Sequence, residues 1–406
     1  MEDNFLTFIF YIIYMVTFMA SYHIKWKKRN WYVIISFTLI VGLRGVGIDY
    51  HGYKGQYELL VNIPYGLFDP RYFHAYINDY TTTQFEPFYL LVIKILKYFN
   101  AENYWFFMII AFGQIFFFDN FVRHFKSGEK MMMSFVFFGC LLFIETFNGM
   151  RQFLAFFAYL NIVHYIAERK WKHYFGYGVL LYCLHSSAIF LLPLYFVINI
   201  DLLKNKALQF CIYIIVVGST TYFINQLTDL LNNLYFLTGD IESLKTQYLD
   251  ADNLSLEGNR SVMTHVYRFI TFAFMVMNSD KFKEVYGKNG VIFYNMTFIG
   301  YLLAELSFNM GIYRINYYFF YNVFIVMGLM LYQTFSGYNR GKMQWTIVAF
   351  GIMILYMAWF GNAVFKEANE CSPYKLSPEL GEVVSPNDDF EYKTRVFHFT
   401  DFGVTC

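Results

Sequence analysis

The sequence predicts an all-α polytopic membrane protein, with a single multi-span domain over residues 1–365 and a C-terminal tail over residues 366–406. Its 406 residues are 57% hydrophobic, 23% aromatic and only 15% charged, whereas about a quarter of the residues in a soluble domain are charged. Apolar runs recur from Phe5 to Phe365, and a run of roughly 17 to 25 helical residues crosses a hydrocarbon core. The runs do not alternate polar and apolar residues, so a β-barrel is not expected.

The apolar runs predict the transmembrane helices in chain order. The first run, Phe5 to Tyr22, follows four residues without a positive charge and precedes no clear cleavage site, so we expect an anchor and not a removed signal peptide. The later runs are Trp31 to Leu43, Tyr104 to Phe121, Met131 to Phe147, Phe153 to Ala167, Tyr174 to Ile200, Ala207 to Ile224, Val262 to Met277, Val291 to Phe308, Ile312 to Phe335 and Trp345 to Phe365.

Lysine and arginine in short loops predict the orientation, because such loops are enriched on the cytoplasmic side. The basic segments are Lys25 to Arg29, Arg123 to Lys130, Arg169 to Lys172, Lys204 to Lys206, Lys281 to Lys288 and Arg340 to Lys342. If all of them face the cytoplasm, both termini and the tail are periplasmic, and the outer loops cover about 44–84 and 225–261.

Two runs cannot be ordinary spans if this orientation holds. Phe85 to Phe99 is short and carries two lysines, so we expect a re-entrant or interfacial helix. Tyr174 to Ile200 begins and ends beside cytoplasmic loops, which predicts two half-helices meeting at Leu184 to Ser187. Non-helical backbone at membrane depth must be buried in protein or line a cavity. With these corrections the chain has about twelve membrane segments.

Composition and motifs exclude several classes of function. The formal net charge is +1, and no basic cluster is interleaved with aromatic residues, so nucleic-acid binding is not expected. Histidines and carboxylates show no metal-ligand spacing, and no cofactor motif is present, so we expect neither a metal nor a cofactor. Cys371 and Cys406 are expected to form a disulfide only if the tail lies in an oxidising compartment.

Charged residues inside apolar runs are the candidate functional groups, because an ionisable side chain at membrane depth is costly unless it is paired or faces water. Arg151 interrupts the stretch from Met131 to Ala167. Arg44 and Asp49 flank a glycine-containing turn, where a guanidinium suits phosphate and a carboxylate suits a sugar hydroxyl. The alternative for these two residues is a local ion pair that closes the loop.

Glu86 and His185 are the other candidate catalytic groups. Glu86 precedes Pro87 at the start of a short helix, where it is either a base or sugar ligand or simply a favourable charge at a helix N-terminus. His185 lies at the expected break between two half-helices, beside two serines. Its alternative role is that of a packing residue.

The expected topology places Arg44, Arg151, His185 and Arg314 in the same leaflet, where an anionic headgroup would meet all of them. Each arginine taken alone could instead reach phospholipid phosphates. Additional candidates for substrate binding are Gln152 beside Arg151, Tyr50 and Tyr53 in the tyrosine-rich first loop, and Arg260 and Arg268 near a later span, where His265 also lies. Tyrosines suit both sugar stacking and the membrane interface.

Several motifs together resemble a known family. They are Leu43-Arg44-Gly45-Val46-Gly47-Ile48-Asp49-Tyr50 with Tyr53, Phe85-Glu86-Pro87, Asn148-Gly149-Met150-Arg151-Gln152 and Leu184-His185-Ser186-Ser187-Ala188, with Tyr313-Arg314 as a weaker extension. In this order they look like the EpsG/Wzy-type family of bacterial polysaccharide polymerases. Ile48 departs from the pattern, which more often has a small or hydroxyl residue there.

The resemblance implies a metal-independent glycosyltransferase of the bacterial inner membrane, with a GT-C-like architecture and re-entrant or broken helices. Such an enzyme joins undecaprenyl-diphosphate-linked repeat units on the outer face, with inversion expected at the anomeric carbon. It works among membrane lipids, beside a chain-length regulator and a flippase of the same pathway.

Carried onto this chain, the resemblance makes Arg44, Arg151 and Arg314 the diphosphate ligands, and Asp49, Glu86 or His185 the base. Two rival functions remain. A lipid-linked oligosaccharide transporter would line both leaflets with charge. A membrane glycan acyltransferase or ligase would use a histidine with a nearby acid.

Overall fold

The computed structural model describes residues 2–24, 29–47, 49–61, 86–201, 204–218, 262–306, 310–336, 343–365 and 374. The described residues form helices and no strand, which confirms the all-α prediction. The helices are α1 (Glu2–Ser21), α2 (Trp31–Gly42), α3 (Tyr50–Val61), α4 (Pro87–Tyr98), α5 (Asn103–Val122), α6 (Ser127–Gly139), α7 (Leu142–Asn148), α8 (Met150–Leu160), α9 (His164–Ala167), α10 (Trp171–Leu184), a 3₁₀ helix (Ser186–Leu191), α11 (Leu194–Val197), α12 (Lys206–Gly218), α13 (Val262–Met277), α14 (Ser279–Leu306), α15 (Met310–Phe320), α16 (Val323–Phe335) and α17 (Met343–Phe365).

Among the described residues, four helical segments are long and apolar enough to cross a membrane. These are Asn4–Ser21, Asn103–Val122, Ile315–Phe335 and Met343–Phe365. The bent pair α6 and α7 is a fifth candidate, and Trp31–Gly42, Ser186–Val197 and Lys206–Gly218 are shorter apolar segments. These helices support a membrane protein, while the twelve segments, the GT-C-like architecture and the domain limits stay predictions. The loop 225–261 and the cysteines Cys371 and Cys406 lie outside the described residues.

Aromatic side chains fill the centre of the bundle. Phe18 of α1, Phe118 of α5 and Phe137 of α6 are fully buried and pack their rings together, with centroids 5.1 to 6.2 Å apart. Aromatic rings bury a large apolar area, and edge-to-face or offset packing adds a further favourable term. The high phenylalanine content therefore serves packing between helices.

Small residues allow two helix pairs to approach closely. A Cβ atom added to Gly300 of α14 would collide with the backbone of Phe320 in α15. A Cβ on Gly328 of α16 would lie 2.6 Å from the Cα of Met133 in α6. Small residues at such crossings let the backbones make van der Waals contact, which is a main source of stability between helices in a membrane.

Several of the basic segments gather at one end of the bundle, here called the basic end. Tyr286 donates a hydrogen bond to Glu129 over 2.8 Å. Lys283 pairs with Asp201 at 2.6 Å, and Lys206 pairs with Asp280 at the same distance. The segments 123–130, 204–206 and 281–288 therefore share one end, as expected for loops in one compartment. Which compartment that end faces stays a prediction.

The expected break near His185 is confirmed by the backbone. α10 ends at Leu184, His185 is extended with φ −158° and ψ 126°, and the following 3₁₀ helix returns along α10. The hydroxyl of Tyr174, in the first turn of α10, donates to the carbonyl of Leu191 over 2.6 Å. The chain therefore runs to His185 and turns back toward the basic end, so that His185 lies at the opposite end.

A second break interrupts the run from Met131 to Phe147, which was expected to be one helix. Leu141 has a positive φ of 66°, and α6 and α7 meet there at 58°. α7 and α8 then meet at Gly149, where Gln114 of α5 donates to the carbonyl of Met150 over 2.9 Å. An apolar run does not reveal such a bend, because its hydrophobic pattern continues through Leu141 unchanged.

The close approach at Gly300 predicts a specific loss of stability. Gly300→Ala should lower the free energy of unfolding by about 1 to 3 kcal/mol, because α14 and α15 must separate to admit the methyl group. Gly351→Ala is the control, since a Cβ on Gly351 in α17 meets no atom of the described residues within 4 Å. Melting of the purified chain in detergent measures both variants, and equal melting temperatures would contradict the packing described.

Candidate functional site

The turn after α2 is held by a completely buried arginine. Arg44 donates to the carbonyl of Val46 over 3.1 Å from Nε, and to the carbonyls of Val41 and Phe147 from its other nitrogens. Its guanidinium also lies 5.0 Å from the centroid of the Phe147 ring. Arg44 thus joins the end of α2 to the end of α7, where the chain leaves the helix and its carbonyls need donors.

Arg151 forms the centre of the candidate site, in the first turn of α8. Its Nη1 pairs with Oε2 of Glu86, and its Nε lies 3.4 Å from the hydroxyl of Tyr53. The guanidinium stands over the Tyr89 ring, 4.7 Å from its centroid. The Arg151 side chain is 18% exposed and that of Glu86 only 6%. The Arg151 side chain therefore stays partly exposed while its charge is compensated.

Glu86 links α4 to the break after α10. Its Oε1 accepts from the backbone N–H of Ser186 over 3.2 Å and lies 3.5 Å from the Ser186 hydroxyl. Glu86 lies outside the candidate spans. Burial by itself raises the pKa of its carboxyl, but Arg151 lowers it, followed by His185 and the Ser186 N–H. The pKa of Glu86 is therefore below its usual value. Glu86 is therefore ionised at neutral pH and is engaged on both oxygens.

His185 has a defined ring orientation. Its Nδ1 accepts from the backbone N–H of Ser187 over 3.2 Å and lies 2.7 Å from the Ser187 hydroxyl. A neutral ring that accepts at Nδ1 carries its hydrogen on Nε2. The Ser187 hydroxyl also bonds to that of Tyr318 in α15, over 3.2 Å. His185 therefore presents a donor at Nε2, and its Nδ1 is 3.9 Å from Glu86, too far for a hydrogen bond.

We call Tyr53, Glu86, Arg151 and His185 the Arg151 cluster. All four come from different segments that the sequence had marked as motifs. The C-terminal side of α8 bonds to the end of α5 at the basic end, through Asn161 and the carbonyl of Phe117 at 2.9 Å. The cluster, at the start of α8, therefore lies at the opposite end of the helices.

The other predicted site residues lie in different surroundings. Asp49 is exposed just before α3 and acts electrostatically on the Tyr53 hydroxyl. Tyr50 is buried and stacks on Phe107 with centroids 5.0 Å apart. Gln152 is also buried. Arg268 belongs to a separate group around Glu305, Arg314 lies in α15 but its side chain is not among those described, and Arg260 lies outside the described residues.

Sequence reasoning missed several neighbours of the cluster. Asn148 is 7% exposed, and among the described residues neither of its amide atoms has a hydrogen-bond partner. Tyr317 of α15 donates to Glu145 over 3.1 Å, and Tyr318 approaches Ser187. Asn148 stands beside Arg151 in a motif and could have been found from it. No feature of the sequence distinguishes Tyr317 and Tyr318 from the many other tyrosines in apolar helices.

The arrangement defines a class of protein: an all-helical membrane protein that presents an arginine and a histidine donor where its helices break. Such donors suit an anionic group. No group of histidine, cysteine and acidic residues able to hold a metal occurs in the described part of the chain.

A family model described as the EpsG family matches residues 30–376, and the chain belongs to this family, as the sequence motifs indicated. No curated protein and no solved structure matches the chain. Membership supports a role of the polysaccharide-polymerase type, with a lipid-linked sugar in a membrane as the implied substrate.

The buried ion pair predicts that substitutions of Arg151 and Glu86 have non-additive effects on the free energy of unfolding. Arg151→Met should cost about 3 kcal/mol of unfolding free energy, because it leaves Glu86 buried without its cation. Adding Glu86→Gln should restore most of that loss. Arg123→Met, at an exposed position of the basic end, is the control and should change stability by no more than about 0.5 kcal/mol. Additive effects of the two cluster substitutions would show that the pair is not coupled.

Proposed function

We propose that the chain is a polysaccharide polymerase that joins undecaprenyl-diphosphate-linked repeat units at the periplasmic face of the inner membrane. The observation that carries this proposal is the Arg151 cluster, in which an arginine and a histidine donor converge from separate breaks in the helices. Membership of the EpsG family supports the same role. The cluster lies at the end of the bundle away from the basic segments, which by the charge rule is the outer face.

The reaction transfers the growing glycan between two lipid carriers. The bond between the anomeric carbon and the diphosphate oxygen breaks, and a new bond forms from that carbon to a hydroxyl of the acceptor's terminal sugar. The proton of that hydroxyl passes to a base, and the diphosphate leaves on its polyprenyl lipid. Attack from the side opposite the leaving group inverts the anomeric configuration.

Arg151 and His185 stabilise the departing diphosphate in this proposal. The guanidinium offers a planar set of donors that matches phosphate oxygens, and Nε2–H of His185 adds a further donor. Donors that are positioned before the reaction stabilise developing negative charge without the cost of reorientation. Glu86 holds both groups in place, through Arg151 directly and through the backbone of Ser186.

Arg44 acts as a positioning residue in this arrangement. Its guanidinium fixes the carbonyl of Phe147, immediately before Asn148 and the break that leads to Arg151. Asn148 itself is buried, with both amide atoms unpartnered among the described residues. Tyr53 contacts Arg151 through its hydroxyl. Roles for Gln152, Tyr50, Arg260, Arg268 and Arg314 in substrate binding stay predictions.

Asp49 is the preferred base among the three candidates. Glu86 is already engaged by Arg151 and Ser186, and Nδ1 of His185 is already engaged by the backbone N–H and the hydroxyl of Ser187. Asp49 is exposed and lies one helical turn before Tyr53, whose hydroxyl contacts Arg151. A base must lie within hydrogen-bond reach of the acceptor hydroxyl, and a carboxylate beside the leaving-group site meets that need.

Acyl transfer is the second candidate, because the Ser187 hydroxyl lies 2.7 Å from Nδ1 of His185. A serine nucleophile next to a histidine base is the arrangement that acyl transfer requires. Ser187→Ala distinguishes the two: it should leave polymerisation measurable but would abolish an acyl transferase. A lipid-linked oligosaccharide transporter would instead move the substrate without lengthening it.

Polymerisation itself is tested by adding lipid-linked repeat unit to the purified chain in liposomes and following the ladder of longer lipid-linked glycans. Arg151→Lys should slow ladder formation about 100-fold, because lysine keeps the charge beside Glu86 but lacks the planar set of donors. The melting temperature should stay near that of the wild type. Arg123→Lys is the matched control, and an unaffected rate for Arg151→Lys would remove Arg151 from the reaction.

The choice of base has its own test in the same assay. Asp49→Asn should slow elongation about 100-fold or more, because the amide cannot accept the proton. Binding of the lipid-linked substrate should be retained. Asp49→Glu should recover part of the rate, and Asp280→Asn, at an exposed carboxylate of the basic end, serves as the control. Full activity of Asp49→Asn would return the role to Glu86 or His185.

A further inference from the structure

The chain beyond α17 contacts the first two helices through Tyr374. The backbone N–H of Tyr374 donates to the Thr7 hydroxyl of α1 over 3.0 Å, and the Tyr374 hydroxyl donates to the carbonyl of Ile40 in α2 over 2.8 Å. Its ring packs beside those of Phe10 and Tyr11 in α1, with centroids 5.3 and 6.3 Å away. Tyr374 therefore bridges α1 and α2.

These contacts lie toward the end of the bundle that carries the Arg151 cluster. α1 ends at the basic end, where the Ser127 hydroxyl donates to the carbonyl of Tyr22 over 2.7 Å, and α2 begins at the same end. Tyr374 contacts the first half of α1 and the last turn of α2. It therefore lies nearer to the opposite end, where α2 leads into the turn held by Arg44.

The carbonyl that Tyr374 binds belongs to a helix end. The last carbonyls of a helix have no partner within it, and a buried carbonyl without a donor is costly. In the last turn of α2, the carbonyl of Ile40 accepts from Tyr374 and the next carbonyl, that of Val41, accepts from Arg44. Tyr374 and Arg44 therefore hold neighbouring carbonyls of the same helix end.

Ring packing also connects Tyr374 with the second backbone group that Arg44 holds. The fully buried Tyr11 packs edge-on against the ring of Phe147, with centroids 6.4 Å apart, and the carbonyl of Phe147 accepts from Arg44. The break that leads to Arg151 follows Phe147 directly. Tyr374 thus contacts the neighbours of both backbone segments that Arg44 joins.

The family match includes this segment of the chain. It continues past the end of α17 at Phe365 and ends at residue 376, so that Tyr374 lies inside it. α17 itself packs against α1, with the rings of Phe365 and Phe8 5.1 Å apart. The segment that carries Tyr374 is therefore part of the region that matches the family.

We propose that Tyr374 is a positioning residue for the Arg151 cluster. Its hydroxyl holds the end of α2 and its ring supports Tyr11, so that Arg44 keeps α7 in place and the start of α8 presents Arg151. The inference rests on the proposed function, because the guanidinium that is positioned is the one assigned to the departing diphosphate. The segment after α17 is thereby required for the reaction, although Tyr374 touches no reacting atom.

The local effect is tested by hydrogen–deuterium exchange of the full chain in nanodiscs. Tyr374→Phe keeps the ring and removes the hydroxyl donor. The amides of residues 43–47 should exchange about fivefold faster, as expected for the loss of one hydrogen bond, whereas those of α16 should not change. Tyr32→Phe, at an exposed tyrosine near the start of α2, is the matched control. Unchanged exchange at residues 43–47 in Tyr374→Phe would overturn the proposal.

The effect on the reaction is tested in the polymerisation assay. Tyr374→Phe should slow ladder formation about tenfold, because a small displacement of a catalytic group is enough to do so. In an Arg151→Lys background it should slow the reaction by no more than about twofold, since the guanidinium through which Tyr374 acts is absent. A mere loss of folded protein would slow both backgrounds by the same factor, and that outcome would overturn the proposal.

A second variant tests the other hydrogen bond of Tyr374. Thr7→Val removes the acceptor of the Tyr374 N–H and keeps the size of the side chain. It should speed exchange at residues 43–47 as Tyr374→Phe does. Thr17→Val is the control, because the Thr17 hydroxyl donates to the carbonyl of Tyr14 within α1 itself. Equal effects of Thr7→Val and Thr17→Val would show a general loosening of α1 and would contradict the positioning role.

Failure of the positioning role and failure of the proposed function have different results. If the wild type forms no glycan ladder but exchange at residues 43–47 responds to Tyr374→Phe, the polymerase fails while the support of the Arg44 turn by Tyr374 stands. If the ladder forms and Tyr374→Phe changes neither its rate nor the exchange, the positioning role fails while the polymerase stands.

Discussion

The ion pair between Arg151 and Glu86 is the interaction on which the arrangement at the non-basic end of the bundle depends. Both charges lie among apolar helices, where an uncompensated charge would lower the free energy of unfolding by about 3 kcal/mol or more. Pairing them allows α4, α8 and the break after α10 to meet, because Glu86 also binds the backbone of Ser186. The same contact leaves the Arg151 side chain 18% exposed, so in the proposed function the group that stabilises the fold also binds the substrate.

Breaks in the helices create the polar surroundings of this pair. The chain leaves α-helical geometry after Gly42, at Gly149 and at His185, and each break frees carbonyl or N–H groups that need partners. Arg44 and Gln114 donate to such carbonyls, and Glu86 accepts from a freed N–H. Non-helical backbone inside a membrane is tolerated where protein groups satisfy it in this way.

A second buried carboxylate, Glu305, is compensated in the same way as Glu86. Glu305 is fully buried and has three side-chain partners, so its carboxylate joins α12, α13 and α14 in the way that Glu86 joins α4, α8 and the turn at His185. The His185 ring is buried beside Glu86, whereas the His265 side chain is 36% exposed beside Glu305. α15 contacts both groups, through Tyr318 on Ser187 and through the ring of Phe320 near the Arg268 guanidinium.

The sequence by itself determined the helical class, the basic segments that share one end and the break at His185, and it marked Glu86, Arg151 and His185 as candidate site residues. These features depend on composition, on local backbone preference and on the cost of a charge in an apolar run, all of which can be read along the chain. Only the tertiary structure decided that Arg151 pairs with Glu86 and that Arg44 binds backbone carbonyls. It also decided that the helix after Met131 bends at Leu141. The hydrogen bonds of Tyr318, Gln114 and Glu305 to distant segments are likewise visible only in the tertiary structure. Those contacts join residues distant in sequence, and in a chain with so many similar apolar helices the choice of neighbour is made by packing, which local sequence does not encode.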